Sequence, residues 1–188
     1  MHIPNYLTLL RILMSFICVA LIITGKLFPL IVSFILFLSA SLTDFLDGFI
    51  ARKRNKVSDL GKLLDPIADK ILIVGVFLSF LVIKVINVWM VIVIITREFI
   101  ITGVRLFALS RGYVLEARKF GKHKTFSQML GINVIFVVLI MSKIFQDSKF
   151  VSFLYDKGIG VLMWYIVIVT AFSGIHYLWA NRKIIKNF

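Results

Sequence analysis

The chain has 188 residues, 60% of them hydrophobic, with 22 Lys and Arg against nine Asp and Glu and a formal net charge of +13. That apolar fraction exceeds what a soluble domain of this length can bury, so the composition excludes an ordinary soluble enzyme and requires helices long enough to span a bilayer. The apolar runs do not alternate with polar residues, which excludes a transmembrane β-barrel, and the basic residues are divided among short segments, which argues against nucleic-acid binding.

The first apolar run, Leu7 to Gly25, contains Arg11 and has no small-x-small cleavage site near Gly25. It reads as a retained span rather than a cleaved signal peptide, with Arg11 facing a polar interior. Cys18 is the sole cysteine, so no disulfide framework is available and a packing role is expected. Further spans are read at Leu27 to Phe49, Leu63 to Ile83, Ile86 to Leu109, Thr125 to Phe145 and Gly158 to Ala180. The expected fold is all-α: one polytopic membrane domain over residues 1–188, with six transmembrane helices and a polar active-site cavity on the cytoplasmic side. Strongly basic segments follow the second and fourth spans and the last one, while the other connections are nearly neutral. This alternation predicts a multi-pass protein with both termini cytoplasmic. The positive charge itself has two readings, contact with anionic lipid head groups or recognition of an anionic substrate.

The acidic residues are concentrated. Asp44, Asp47, Asp59, Asp65 and Asp69 account for five of the nine, although a carboxylate at membrane depth costs about 2.5–3.5 kcal/mol on insertion scales. Asp44, Asp47, Gly48 and Ala51 stand at i, i+3, i+4 and i+7, one stripe of a helix that Arg52 continues. Gly48 and Ala51 leave room beside the carboxylates. Gly61, Asp65 and Asp69 recur every four residues in the next span. A basic hairpin joins the two helices and would bring both carboxylate pairs to one end. Four facing carboxylates repel unless cations neutralise them, and an all-oxygen set suits Mg²⁺ or Mn²⁺. Two such ions about 3.5–4 Å apart could clamp a pyrophosphate. Against this, Asp65 followed by Pro66 also fits a helix N-cap with Pro at the first helical position, and Asp59 fits a solvated loop charge.

Asp44-Phe-Leu-Asp47-Gly48-Phe-Ile-Ala51-Arg52, with Gly61, Asp65 and Asp69 beyond it, resembles the full signature of the CDP-alcohol phosphatidyltransferase family. The resemblance implies a six-helix membrane enzyme, homodimeric, in which an alcohol attacks the β-phosphate of a CDP-linked lipid and CMP leaves. It implies Asp44, Asp47 and Asp65 as metal ligands, and Asp69 as both ligand and base. Gly48, Arg52, Ser58 and Gly61 would contact CDP-diacylglycerol.

Two softer stretches bear on the acceptor. Ile3-Pro4-Asn5-Tyr6-Leu7-Thr8-Leu9-Leu10-Arg11 resembles the opening of the phosphatidylglycerophosphate synthase branch of that family, with Asn5 and Thr8 lining the nucleotide pocket; the alternative for Asn5 is an interfacial anchor. Gly121-Lys122-His123-Lys124-Thr125-Phe126-Ser127-Gln128 resembles the same branch. Arg105, Arg118, Lys122 and Lys124 are then the expected cations for sn-glycerol 3-phosphate, although positive-inside charge would account for Lys122. Arg97 and Glu98, inside the fourth span, fit either interhelical contacts or substrate binding. Other acceptors within the family (phosphatidylglycerol, inositol phosphate, serine) remain rivals. A membrane prenyltransferase also uses paired aspartates and a diphosphate, but six spans are few for it. An ion-binding or transport protein would be expected to hold its acids near mid-membrane.

Overall fold

The computed structural model describes residues 3–54, 59–111 and 119–185, and their side chains except those of residues 3–8, 44–54, 59–67, 69, 119–122 and 183–184. Among the described residues there is no strand. The helices are α1 (Ile3–Ile23), α2 (Leu27–Arg54), α3 (Asp59–Val82), α4 (Val88–Ser110), α5 (Lys119–Ile144), a short α6 (Lys149–Phe153), α7 (Ile159–Ala180) and α8 (Arg182–Ile185). The all-α expectation holds. Local chemistry sets several ends. Gly25 follows α1 at φ 64°, a left-handed position that spares glycine the Cβ clash, and its N–H donates to the Ile22 carbonyl at 3.0 Å. Asn87 caps α4, its side-chain oxygen accepting from the Trp89 N–H at 3.0 Å.

Three boundaries differ from the sequence-based expectation. Helix α2 runs on to Arg54 and α3 begins at Asp59, so most of the basic hairpin is helical. Pro66 therefore lies about two turns inside α3, and Asp65 is not that helix's N-cap. Asp59, expected in a loop, opens α3. The last span starts earlier than Gly158: Ser148 caps α6, and a π-helical turn at Leu154–Gly158 carries the chain into α7. A π turn of this kind accommodates one extra residue without ending the helix.

The chain groups into two compact units, Met1–Val85 with Phe136–Gln146, and Ile86–Ile135 with Asp147–Phe188. In the first, α1 packs on both α2 and α3. A Cβ on Gly75 of α3 would stand 2.9 Å from Val19 of α1, so the helices approach closely there. Phe34, Phe37 and Phe80 surround Phe136, with ring centroids 5.1, 5.8 and 5.3 Å away. Such pairs add to the burial of large apolar surface. Cys18 is buried, 3.2 Å from the Ser33 hydroxyl, as its packing role requires. Arg11 is buried at 3% exposure, as a charged residue inside an apolar helix should be.

In the second unit α4 packs on α7 through Ile101, Ala108 and Tyr177. A Cβ on Gly131 of α5 would collide with Ile166 of α7, which marks a second close helix approach. Helix α7 is apolar on its exposed face as well as along much of its buried one: Ile159, Met163, Ile166 and Val167 are buried, while Val161, Trp164, Ile168, Phe172 and Ile175 are exposed. A helix that is apolar on its outer face suits lipid as its outer solvent. Two stretches, His123–Ile144 and Lys149–Ala180, are long and apolar enough to cross a membrane; among the described residues Leu9–Ile23, Leu27–Thr43 and Lys70–Val82 are shorter apolar helices.

Candidate active site

The backbone supports the expected acidic stripe. Asp44, Asp47, Gly48 and Ala51 lie within α2, so their spacing places them on one stripe of a real helix. Gly61, Asp65 and Asp69 lie at four-residue intervals within α3. The side chains of Asn5, Thr8, Asp44, Asp47, Arg52, Asp65, Asp69 and Lys122 and the surroundings of Gly48 and Gly61 are outside what is described, as are Ser58 and Arg118 entirely. The donor chemistry suits a hard divalent cation: four carboxylates in pairs along two helices, oxygen donors throughout. Among the described residues no further cluster of three His, Cys, Asp or Glu is present.

The second unit holds a buried polar network. Glu98 of α4 is 5% exposed and forms an ion pair with Lys124 of α5, which is 4% exposed. Arg97 Nη1 lies 3.3 Å from the same Glu98 oxygen, and Arg97 Nη2 donates to the Ser173 hydroxyl of α7 at 3.2 Å. Gly174 allows this, since a Cβ there would stand 2.9 Å from Arg97 Cγ. One turn beyond Lys124, Gln128 is fully buried and its amide donates to Thr170 at 3.3 Å. The Gln128 Oε1 and the Tyr177 hydroxyl have no hydrogen-bond partner among the described residues. Arg105 is exposed, with its guanidinium 5.9 Å from the Tyr177 ring centroid. Three helices are thus tied together by charge in a low-dielectric interior, where breaking one partner leaves the others unsatisfied.

Of the expected phosphate cations, Lys124 joins this network directly and Arg105 lies over the ring of Tyr177, on the α7 stripe that carries Ser173. Arg97 and Glu98 make contacts between helices. Sequence reasoning missed the α7 side of the network, because the last span read as plain apolar helix. The signal was present: Thr170, Ser173, Gly174 and Tyr177 fall at i, i+3, i+4 and i+7, one stripe of small and polar residues on an otherwise greasy helix.

The family model for CDP-alcohol phosphatidyltransferase matches residues 1–175. The chain belongs to this family. Relatives in the family extend the match. The chain is similar, at 37% identity over 81% of its length and 74% of the relative's, to a CDP-diacylglycerol–glycerol-3-phosphate 3-phosphatidyltransferase of Bacillus subtilis. A protein of the same name from Rickettsia bellii is 31% identical over 97% of this chain and 96% of its own, and one from Treponema pallidum is 33% identical over 76% and 66%. As a CDP-alcohol phosphatidyltransferase, the chain is a transferase of phospholipid biosynthesis and a membrane protein, in keeping with its apolar, exposed α7.

Proposed function

We propose that the protein transfers the phosphatidyl group of CDP-diacylglycerol to sn-glycerol 3-phosphate, giving phosphatidylglycerophosphate and CMP. The observation that carries this reading is the Rickettsia bellii relative, similar over 97% of the chain and named for that reaction. The basic stretch that holds Arg118, Lys122 and Lys124 supports it, since a small dianionic acceptor needs cations.

In this reading Asp44, Asp47, Asp65 and Asp69 hold two divalent ions, Mg²⁺ or Mn²⁺. When bound, the ions neutralise the pyrophosphate and ease departure of the leaving group. Asn5, Thr8, Gly48, Arg52, Ser58 and Gly61 hold CDP-diacylglycerol, the Arg52 guanidinium offering a fork to phosphate oxygens. Arg105, Arg118, Lys122 and Lys124 hold the acceptor phosphate. The primary hydroxyl oxygen of glycerol 3-phosphate forms a bond to the β-phosphorus, and the bond from that phosphorus to the bridging oxygen breaks. CMP leaves with that oxygen, and Asp69 takes the hydroxyl proton. An ordinary aspartate with a pKa near ~3.9 is a weak base, so proton transfer is expected late, when the attacking oxygen has become acidic. In this reading the termini and the reaction lie on the cytoplasmic side, which the alternation of basic segments supports, and the protein is a homodimer, as the family resemblance implies, for which native mass spectrometry is the check.

The test is CMP release by purified protein given CDP-diacylglycerol and a panel of acceptors. Glycerol 3-phosphate is expected to be preferred over glycerol, phosphatidylglycerol, inositol phosphate and serine. Better use of any other acceptor would leave the family intact and overturn the substrate.

A further inference from the structure

We propose that Glu98 is a positioning residue for acceptor binding: its carboxylate sets where the Lys124 ammonium stands. The inference rests on the reading of Lys124 as a phosphate-binding cation. Lysine carries its charge on a flexible four-carbon stem, and a flexible cation orders a small ligand poorly unless something fixes it. Glu98 is fixed. Its side chain is 7% exposed, Arg97 Nη1 lies 3.3 Å from its Oε1, and Arg97 is itself tied to Ser173 on α7 at 3.2 Å. Gly174 lets Arg97 lie across α7, because a Cβ there would stand 2.9 Å from Arg97 Cγ. The Thr102 hydroxyl donates to the Glu98 backbone carbonyl at 2.7 Å within α4. Lys124 is ion-paired to the carboxylate held in this way.

The alternative is that Glu98 only neutralises a buried cation, and the two roles predict opposite signs. A carboxylate beside an anion-binding lysine weakens the attraction for phosphate by Coulomb's law. A mere counter-ion, once removed, would leave the ammonium, at a pH low enough to keep it protonated, a stronger anion binder, and acceptor binding would tighten. A positioning residue, once removed, would let the ammonium wander, and acceptor binding would weaken. An ammonium has three donors, so holding a carboxylate with one of them is compatible with meeting a phosphate.

The experiment uses the full-length protein in lipid nanodiscs, with KM measured separately for glycerol 3-phosphate and CDP-diacylglycerol and Tm recorded for each variant. Glu98→Gln is expected to raise KM for glycerol 3-phosphate about tenfold, while KM for CDP-diacylglycerol changes less than about twofold. Glu98→Asp retains the charge but withdraws it by one methylene, and its KM for glycerol 3-phosphate is expected to fall between wild type and Gln. In a Lys124→Ala background, Glu98→Gln is expected to add nothing further, because it acts through the missing ammonium. If the Gln variant does not fold, the Asp variant decides. An unchanged or lowered KM for glycerol 3-phosphate in the folded Glu98 variants, or an equal rise for both substrates, overturns the proposal. A wild-type KM for glycerol 3-phosphate in Lys124→Ala overturns the reading of Lys124 and removes the basis for this proposal with it.

Discussion

The two units handle charge in a membrane protein by different means. The α2 and α3 stretch from Asp44 to Asp69 holds five of the nine acidic residues of the chain, and its two Asp pairs recur along helical stripes. The α4–α5–α7 network instead carries both signs, with Glu98 between Arg97 and Lys124. Arg52, Lys53, Arg54, Lys56 and Lys62 share that stretch and match its acids in number, but the four striped aspartates taken by themselves are a like-charged set, which needs cations beside it and makes it a candidate for divalent metal. A mixed set carries its own counter-charges and can serve as a rigid scaffold as well as a binding surface. A clustered charge of one sign therefore points to a ligand more directly than a balanced pair does.

The largest effect should come from breaking the first side of that comparison. Stripping divalent metal with a chelator is expected to abolish CMP release from CDP-diacylglycerol, and Mg²⁺ or Mn²⁺ should restore it. Full turnover in excess chelator would remove the reason for grouping the four aspartates.

Asp69→Asn sharpens the same side by separating roles within it. Loss of the base and of one ligand is expected to cut kcat by about 10²–10⁴-fold, while binding of CDP-diacylglycerol, measured by equilibrium dialysis, largely survives. A near-normal kcat would withdraw the base assignment from Asp69.

Lys124→Ala tests the second side. KM for glycerol 3-phosphate is expected to rise roughly ten- to a hundredfold, the range of a lost hydrogen bond to a charged group, with much less change in KM for CDP-diacylglycerol. Equal changes in both would make Lys124 a structural residue, and the contrast between the units would then be one of folding alone.

The smallest effect belongs at the α7 edge of the network. Ser173→Ala removes the hydroxyl that accepts from Arg97 at 3.2 Å. Polar contacts between membrane helices average about 0.6 kcal/mol, so a Tm drop of about 1–2 °C is expected with KM for CDP-diacylglycerol unchanged. A loss of activity as large as that of Lys124→Ala would mean Ser173 serves the ligand and not only the scaffold.

The sequence alone determined the all-α membrane class, the family and the acidic stripe. Apolar run length, helical periodicity and a signature within one short stretch are local properties, and the Asp44 to Arg52 pattern is legible without knowing what lies near it. Helix ends were less legible: Asp65-Pro66 looked like a start, yet α3 begins at Asp59, so the roughly 3 kcal/mol that an interior proline costs a helix is outweighed by the rest of the span. Only the tertiary structure decided what Arg97 and Glu98 touch. Their partners, Ser173 and Lys124, come from helices distant in sequence, and a buried ion pair depends on which helices meet and at what height. The same holds for Gly174. Its lack of a side chain is a gap in an apolar run until Arg97 is seen to fill it.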